Sequence, residues 1–240
     1  MPVYQLIPEI PFFPPTDEAE DDGIDVGFNK YQHSITDLRN LNNSIKHKGE
    51  VQRGNSYQKM DERDTAVLII DVQEKLIRSI KDRDMIIFNI KKIVEASFIL
   101  NIPKFISEQN PKKLGTTVNT IHSNKNEISY SKMSFSCANC SLLMKALADR
   151  KLKNILLCGV ETHICVQQTA LDLFTLDYNV FVAIDAVGSR NIIDHEVALR
   201  RIENAGGIIS TTESVIFEWC KSADRNEFRD LSGIIKKNKA

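Results

Sequence analysis

The sequence predicts an α/β fold, a doubly wound parallel sheet of about six strands with helices on both faces, preceded by an irregular N-terminal extension. Three observations predict it. From Thr65 onward, short runs rich in β-branched residues alternate with helix-length segments whose apolar residues recur three and four apart. The runs AVLII and ILLC are continuously apolar, as strands buried on both faces must be. Ahead of Thr65 no strand or helix period is sustained, and five of the seven prolines fall there.

In chain order, residues 1–64 hold the extension. It carries seven basic and twelve acidic residues, a net of −5, against +4 for the rest. The run Asp17 to Asp22 reads as a solvated acidic stretch, while Ile10, Phe12 and Phe13 favour an arm lying on the folded body. Residues 65–240 form the folded domain. Its strands are expected at Ala66 to Asp71, Lys104 to Glu108, Glu127 to Ser131, Asn154 to Val160, Val180 to Asp185 and Gly207 to Thr211. Helices between them bury Ile86, Ile90, Ile93 and Val94, then Leu142, Leu143 and Leu147, then Val166, Ala170, Leu173 and Phe174, then Val197, Ile202 and Ala205. Asn204 to Gly207 reads as a helix C-cap leading into the last strand. The tail Ser214 to Lys237 gives one or two amphipathic helices with Phe217, Trp219, Phe228 and Leu231 on apolar faces.

Composition narrows the function. The formal charge is −1 with no basic block, so nothing marks a nucleic acid or an anionic membrane as partner. No apolar run approaches the roughly 18 residues of a spanning helix, and the start lacks the pattern of a secretory or transit segment. Five cysteines are too few for a disulfide scaffold in a chain of 240 residues, which fits a reducing, cytoplasmic setting. No Gly-rich phosphate loop is present.

In an open parallel sheet, ligands bind beyond the carboxyl ends of the strands. Asp71 closes the first run, Lys132 follows the third, and Cys165 opens the helix after the fourth. A cysteine in a first helical turn feels the positive end of the macrodipole, and a nearby ammonium would lower its pKa further. Asp71 would take the thiol proton and Lys132 would hold both charges, the pattern of an activated nucleophile. Each residue also has a structural reading: Cys165 as a small buried hydrophobe, Asp71 as a helix cap, Lys132 as a surface lysine. Gln73 is expected near the pocket rim, and Glu108, Gln109 and Asn110 are expected to face the pocket as substrate contacts. His163 lies two residues from Cys165, so the two point apart on a helix and a Cys/His dyad is disfavoured. The CANC motif of Cys137 and Cys140 lacks a second pair for zinc, and incidental thiols are the preferred reading.

The stretches LIIDVQEKL, SYSKMSFSC, LCGVETHICVQQTALDLF and VFVAIDAVGSR, in that order, resemble the isochorismatase-like cysteine hydrolase family, which includes nicotinamidases. The segment ISEQNPKKLGTTV further resembles the branch called isochorismatase-domain-containing proteins. The resemblance places the family's catalytic Asp, Lys and Cys on Asp71, Lys132 and Cys165. It implies a cis peptide between Val160 and Glu161, with the backbone N–H groups of Glu161 and Cys165 forming an oxyanion hole. Phe135 matches an aromatic residue near the family pocket, or serves the core. The resemblance also implies a homo-oligomer, a dimer or larger. Nicotinamidases carry an Asp-x-His and a further His after the second strand to hold a metal; this chain has SEQNPKKLG there, which argues against a metal and against nicotinamide as the native substrate, and no cofactor is expected. Lys112 and Lys113 are read as a solvated loop. The expected function is hydrolysis of a small-molecule substrate, with a C–N bond of an amide favoured. The alternative is a catalytically weak member acting as an interaction or scaffold protein through its N-terminal arm.

Overall fold

The computed structural model describes residues 59–122 and 128–237. The expected arm, with its acidic run and its Ile10, Phe12 and Phe13 cluster, lies outside the described residues, as does Glu127.

The strands are β1 (Thr65–Ile70), β2 (Lys104–Gln109), β3 (Ser129–Lys132), β4 (Asn154–Val160), β5 (Asn179–Gly188) and β6 (Ile208–Ser210). The helices are α1 (Glu74–Ile77), α2 (Arg83–Ile99), α3 (Pro111–Leu114), α4 (Ser141–Ala148), α5 (Gln167–Thr175), α6 (Ile192–Asn204), α7 (Thr212–Cys220) and α8 (Phe228–Ile235). The six strands pair in parallel in the order β3-β2-β1-β4-β5-β6. The chain therefore winds outward twice from the middle, and the direction reverses between β1 and β4. The expected doubly wound sheet is the one observed.

Strand periodicity accounts for the two cores. In β1, Val67 and Ile69 enter one apolar cluster with Ile86, Ile90 and Ile93 of α2, Trp219 of α7 and Leu231 of α8. Ala66, Leu68 and Ile70 enter the opposite cluster with Leu143 and Leu147 of α4, Ala170 and Leu173 of α5 and Ile202 of α6. Alternate side chains thus face opposite layers, and every residue of β1 and β4 is buried. Each such Leu or Ile contributes about 1.5–3 kcal/mol over an exposed one, which makes the central strands the most firmly held backbone in the molecule.

Several expectations are corrected. Leu142 is 72% exposed and Val197 48%, because the buried stripes of α4 and α6 run through Leu143 and Leu147 and through Ala198, Leu199 and Ile202. Phe217 also stands partly in water. Cys165 sits in a π-helical turn, Thr162–Val166, that precedes α5, so it does not occupy the first turn of a regular α-helix. The body takes in chain before Thr65: Met60 is buried in the core, and Glu62 pairs with Lys221 and Arg225. Among the described residues, no helix is long and apolar enough to cross a membrane.

Candidate active site

The strand ends deliver the site. At the end of β1 the chain turns sharply, with Asp71 at φ 53, a left-handed conformation uncommon for a residue with a side chain. Its amide donates to the Ser107 carbonyl of β2 and its carbonyl accepts from the Gln73 amide. The turn swings the carboxylate over the sheet end, where it is fully buried. Lys132 reaches it from β3, two strands away, and Nζ lies 2.7 Å from Asp71 Oδ2, with both side chains at or below 1% exposure. Ser107 donates to the other oxygen, Oδ1, at 2.7 Å.

Cys165 arrives from the far side of the switch point, after β4. Gly159 makes that approach possible. Its φ is +118, and a Cβ there would fall 2.1 Å from the Ile70 carbonyl oxygen, so only glycine lets β4 close on the end of β1. The Val160–Glu161 peptide that follows is cis. The Cys165 thiol lies close enough to Asp71 and Lys132 to feel both charges. Asp71, Lys132 and Cys165 therefore meet at the carboxyl ends of β1, β3 and β4, where a doubly wound sheet places its ligand crevice.

The electrostatics correct one expectation. Burial pushes the Cys165 thiol well up, and the negative charge of Asp71 adds to that; the pull of Lys132 in the other direction is outweighed. A helix terminus contributes about 0.3–1 kcal/mol, whereas burying a titratable group moves its pKa by as much as several units, so burial wins. That direction favours the neutral thiol at rest. Burial disfavours Lys132 as an ammonium, but the charge of Asp71, those of Cys137 and Cys165 and the hydrogen bond to Asp71 together outweigh it, and its pKa is raised.

Of the expected substrate contacts, Gln73, Glu108 and Gln109 spend their side chains on supporting bonds. Gln73 is fully buried, away from any rim, and its amide is committed to the Gln109 amide and carbonyl and to the Gly115 carbonyl. Gln109 points its Oε1 at Lys132 Nζ, at 2.8 Å. Glu108 is buried and accepts from the amide and hydroxyl of Thr117, pinning the loop after α3. Asn110, at φ 39, makes the turn into α3 and donates its amide to the Lys132 carbonyl. Phe135 is no core residue; its side chain is 52% exposed, and its carbonyl accepts from Lys132.

Glu161 is buried and turned away from Cys165, toward the backbone amide and guanidinium of Arg190. His163 meets Ser189 at 2.9 Å, and Thr162 meets His195 at 2.9 Å, so neither histidine serves the thiol. Lys112 and Lys113 are exposed, as a solvated segment should be.

Sequence reasoning missed Ser107 and undervalued Cys137. Cys137 Sγ donates to Ser107 Oγ at 3.4 Å, and Ser107 in turn holds Asp71, so one CANC thiol belongs to the site's support. Cys140 points instead at the Ser131 carbonyl. A lone hydroxyl in the otherwise apolar interior of FIS was the available signal for Ser107. Among the described residues, no cluster of His, Cys, Asp or Glu is arranged to hold a metal ion.

Known proteins resemble the chain over most of the described residues. The isochorismatase domain model matches residues 65–214. Isochorismatase domain-containing protein 1 of Danio rerio is 35% identical over 166 residues, 69% of this chain and 59% of the relative. The chain thus spans less than two thirds of that protein. Isochorismatase domain-containing protein 2 of Xenopus laevis is 33% identical over 177 residues, 74% of this chain and 86% of the relative. Among solved structures, the MAR1 ribonuclease of Caenorhabditis elegans superposes with a TM-score of 0.71 at 32% identity, covering 76% of this chain and 95% of that one. With the domain match over residues 65–214, relatives a third identical and the six-stranded sheet in agreement, the chain belongs to the isochorismatase family and has the family's hydrolase fold.

Proposed function

We propose that the protein is a cysteine-dependent hydrolase of a small molecule, with the C–N bond of an amide as the preferred target. The observation that carries this reading is the buried Asp71–Lys132 ion pair at 2.7 Å, with the Cys165 thiol near enough to feel both charges. A carboxylate so placed can exchange a proton with the thiol while the ammonium balances whichever of the two is charged.

The Cys165 sulfur attacks the carbonyl carbon as its proton passes to Asp71, giving a tetrahedral oxyanion. The backbone N–H groups of Glu161 and Cys165 are assigned to that oxygen, a role worth about 3–4 kcal/mol per donor. Collapse breaks the C–N bond, and the amine leaves with the proton from Asp71. Water then gives a proton to Asp71 and attacks the thioester. The acid departs and Cys165 recovers its proton.

Residues 65–240 are taken as the catalytic domain and 1–64 as an extension whose last residues, from Met60, pack onto it. We take the protein to be cytoplasmic, which suits five cysteines that are all free thiols. We also take it to self-associate, which would cover Ile192 and Ile193 of α6, at 64% and 59% exposure.

A screen of small neutral amides and carboxylic esters for release of ammonia, amine or alcohol tests the reading. At least one substrate should turn over in the wild type and not in Cys165→Ala. A mutant as active as the wild type would remove the assignment.

A further inference from the structure

Lys132 Nζ has four acceptors around it: Asp71 Oδ2 at 2.7 Å, Gln109 Oε1 at 2.8 Å, the Phe135 carbonyl at 3.0 Å and the Ser134 carbonyl at 3.2 Å. An ammonium has only three protons, so its capacity is fully used, and just one of the four partners is charged. In the proposed reaction Asp71 becomes neutral at the moment it holds the thiol proton. Lys132, 4% exposed, has then lost its counter-ion while still buried. A buried charge without compensation is costly unless other dipoles solvate it. Those that remain are two main-chain carbonyls and one side chain, Gln109.

The Gln109 amide can serve only one way round. Its Nε2 donates to the Met133 carbonyl at 2.8 Å, which leaves Oε1 facing the ammonium. The reverse orientation would set an NH2 against the ammonium and an oxygen against a carbonyl. The backbone of Gln109 is gripped on both sides by Gln73, whose Oε1 accepts from the Gln109 amide at 2.7 Å and whose Nε2 donates to the Gln109 carbonyl at 3.0 Å. Gln73 is anchored in turn on the Gly115 carbonyl, and Gln109 and Lys132 are register partners on β2 and β3.

We propose that Gln109, seated by Gln73, is a positioning residue that keeps Lys132 charged and in place while Asp71 is protonated, so that the ammonium passes from Asp71 to the Cys165 sulfur. The inference rests on the cysteine-hydrolase reading above. The titratable groups facing Lys132 are Asp71 from β1, Cys165 from the π-helical turn and Cys137 from the short turn before α4. None of them substitutes for Gln109, since Cys137 is a buried thiol pushed up to about 11 by burial and, next, by Asp71.

The test follows the ammonium itself. Full-length protein carrying lysine isotopically labelled at the ε-carbon is titrated by NMR, with the Lys132 signal identified by its loss in Lys132→Met. Gln109→Met removes the acceptor and should lower the pH at which Lys132 titrates by about one to two units. It should also slow alkylation of Cys165 by iodoacetamide about tenfold. Gln109→Glu retains the acceptor and adds charge, so it should leave the titration unmoved or raise it. Thr117→Val loosens the same corner through Glu108 without touching Lys132 and should change neither readout. A folded Gln109→Met protein with wild-type lysine titration overturns the proposal, as does a lowered titration in Gln109→Glu. Should Gln109→Met fail to fold, Gln109→Glu decides alone. The hydrolase reading fails separately, if Asp71→Asn leaves the Cys165 alkylation rate unchanged.

Discussion

Asp71 is the residue on which the others depend, because among the described residues it is the one carboxylate paired with the buried Lys132 ammonium, and its charge also reaches the Cys165 thiol. Asp71→Asn keeps the shape but strands Lys132, and removing one member of a buried pair costs about 3–5 kcal/mol. Urea denaturation should show a loss of that size. Arg63→Ala is the contrast. Arg63 holds Asp61 well below the usual carboxylate range, yet the Arg63 side chain is 79% exposed, so its loss should leave the denaturation midpoint in place. Cys165 shows where residue-level reading of sequence stops. A helix start and a nearby lysine both argue for a thiolate, but burial and Asp71 reverse the sign, and burial is a property of the packed molecule.

At the scale of elements, the strands were legible from periodicity, while the strand ends offered Asp71, Lys132 and Cys165 only as candidates beside their structural readings, and the family resemblance singled them out. A run buried on two faces announces itself, and the residue that closes it must lie at the crevice. The supports were not legible. Gln73, Gln109 and Glu108 share the polar look of substrate-binding residues, and only the neighbouring backbone shows that their hydrogen bonds are already committed. Ser107 was hidden inside β2 for the same reason. Gly159 ties two elements together, since β4 meets the end of β1 through it. Gly159→Ala must displace the Ile70 carbonyl and adopt a φ hostile to a side chain, which should cost about 3 kcal/mol or more and lower the melting temperature accordingly. A melting temperature within a degree or so of wild type would show that β4 has room to retreat.

For the whole molecule, the site's buried groups set the response to alkali. Burial raises Cys137 from its ordinary 9.0 to about 11 and pushes Cys158 and Cys165 up as well. Each thiol keeps its proton more firmly folded than unfolded, so its contribution is complete below pH 9 and is lost as pH rises toward the folded value. Lys132, raised above its ordinary 10.5, acts in the same direction at higher pH. Stability should therefore fall as pH rises through 9 to 11, and melting temperatures measured across that range check it. A flat profile would mean the thiols are not buried as described. The central claim, that Asp71 arms Cys165 for covalent catalysis, is tested most directly by incubating the protein with p-nitrophenyl acetate and mapping the acetyl group by mass spectrometry. The account expects one acetyl group, on Cys165, that forms and then hydrolyses in the wild type and forms far more slowly in Asp71→Asn. Acetylation spread over the five cysteines, or unchanged in Asp71→Asn, would contradict it.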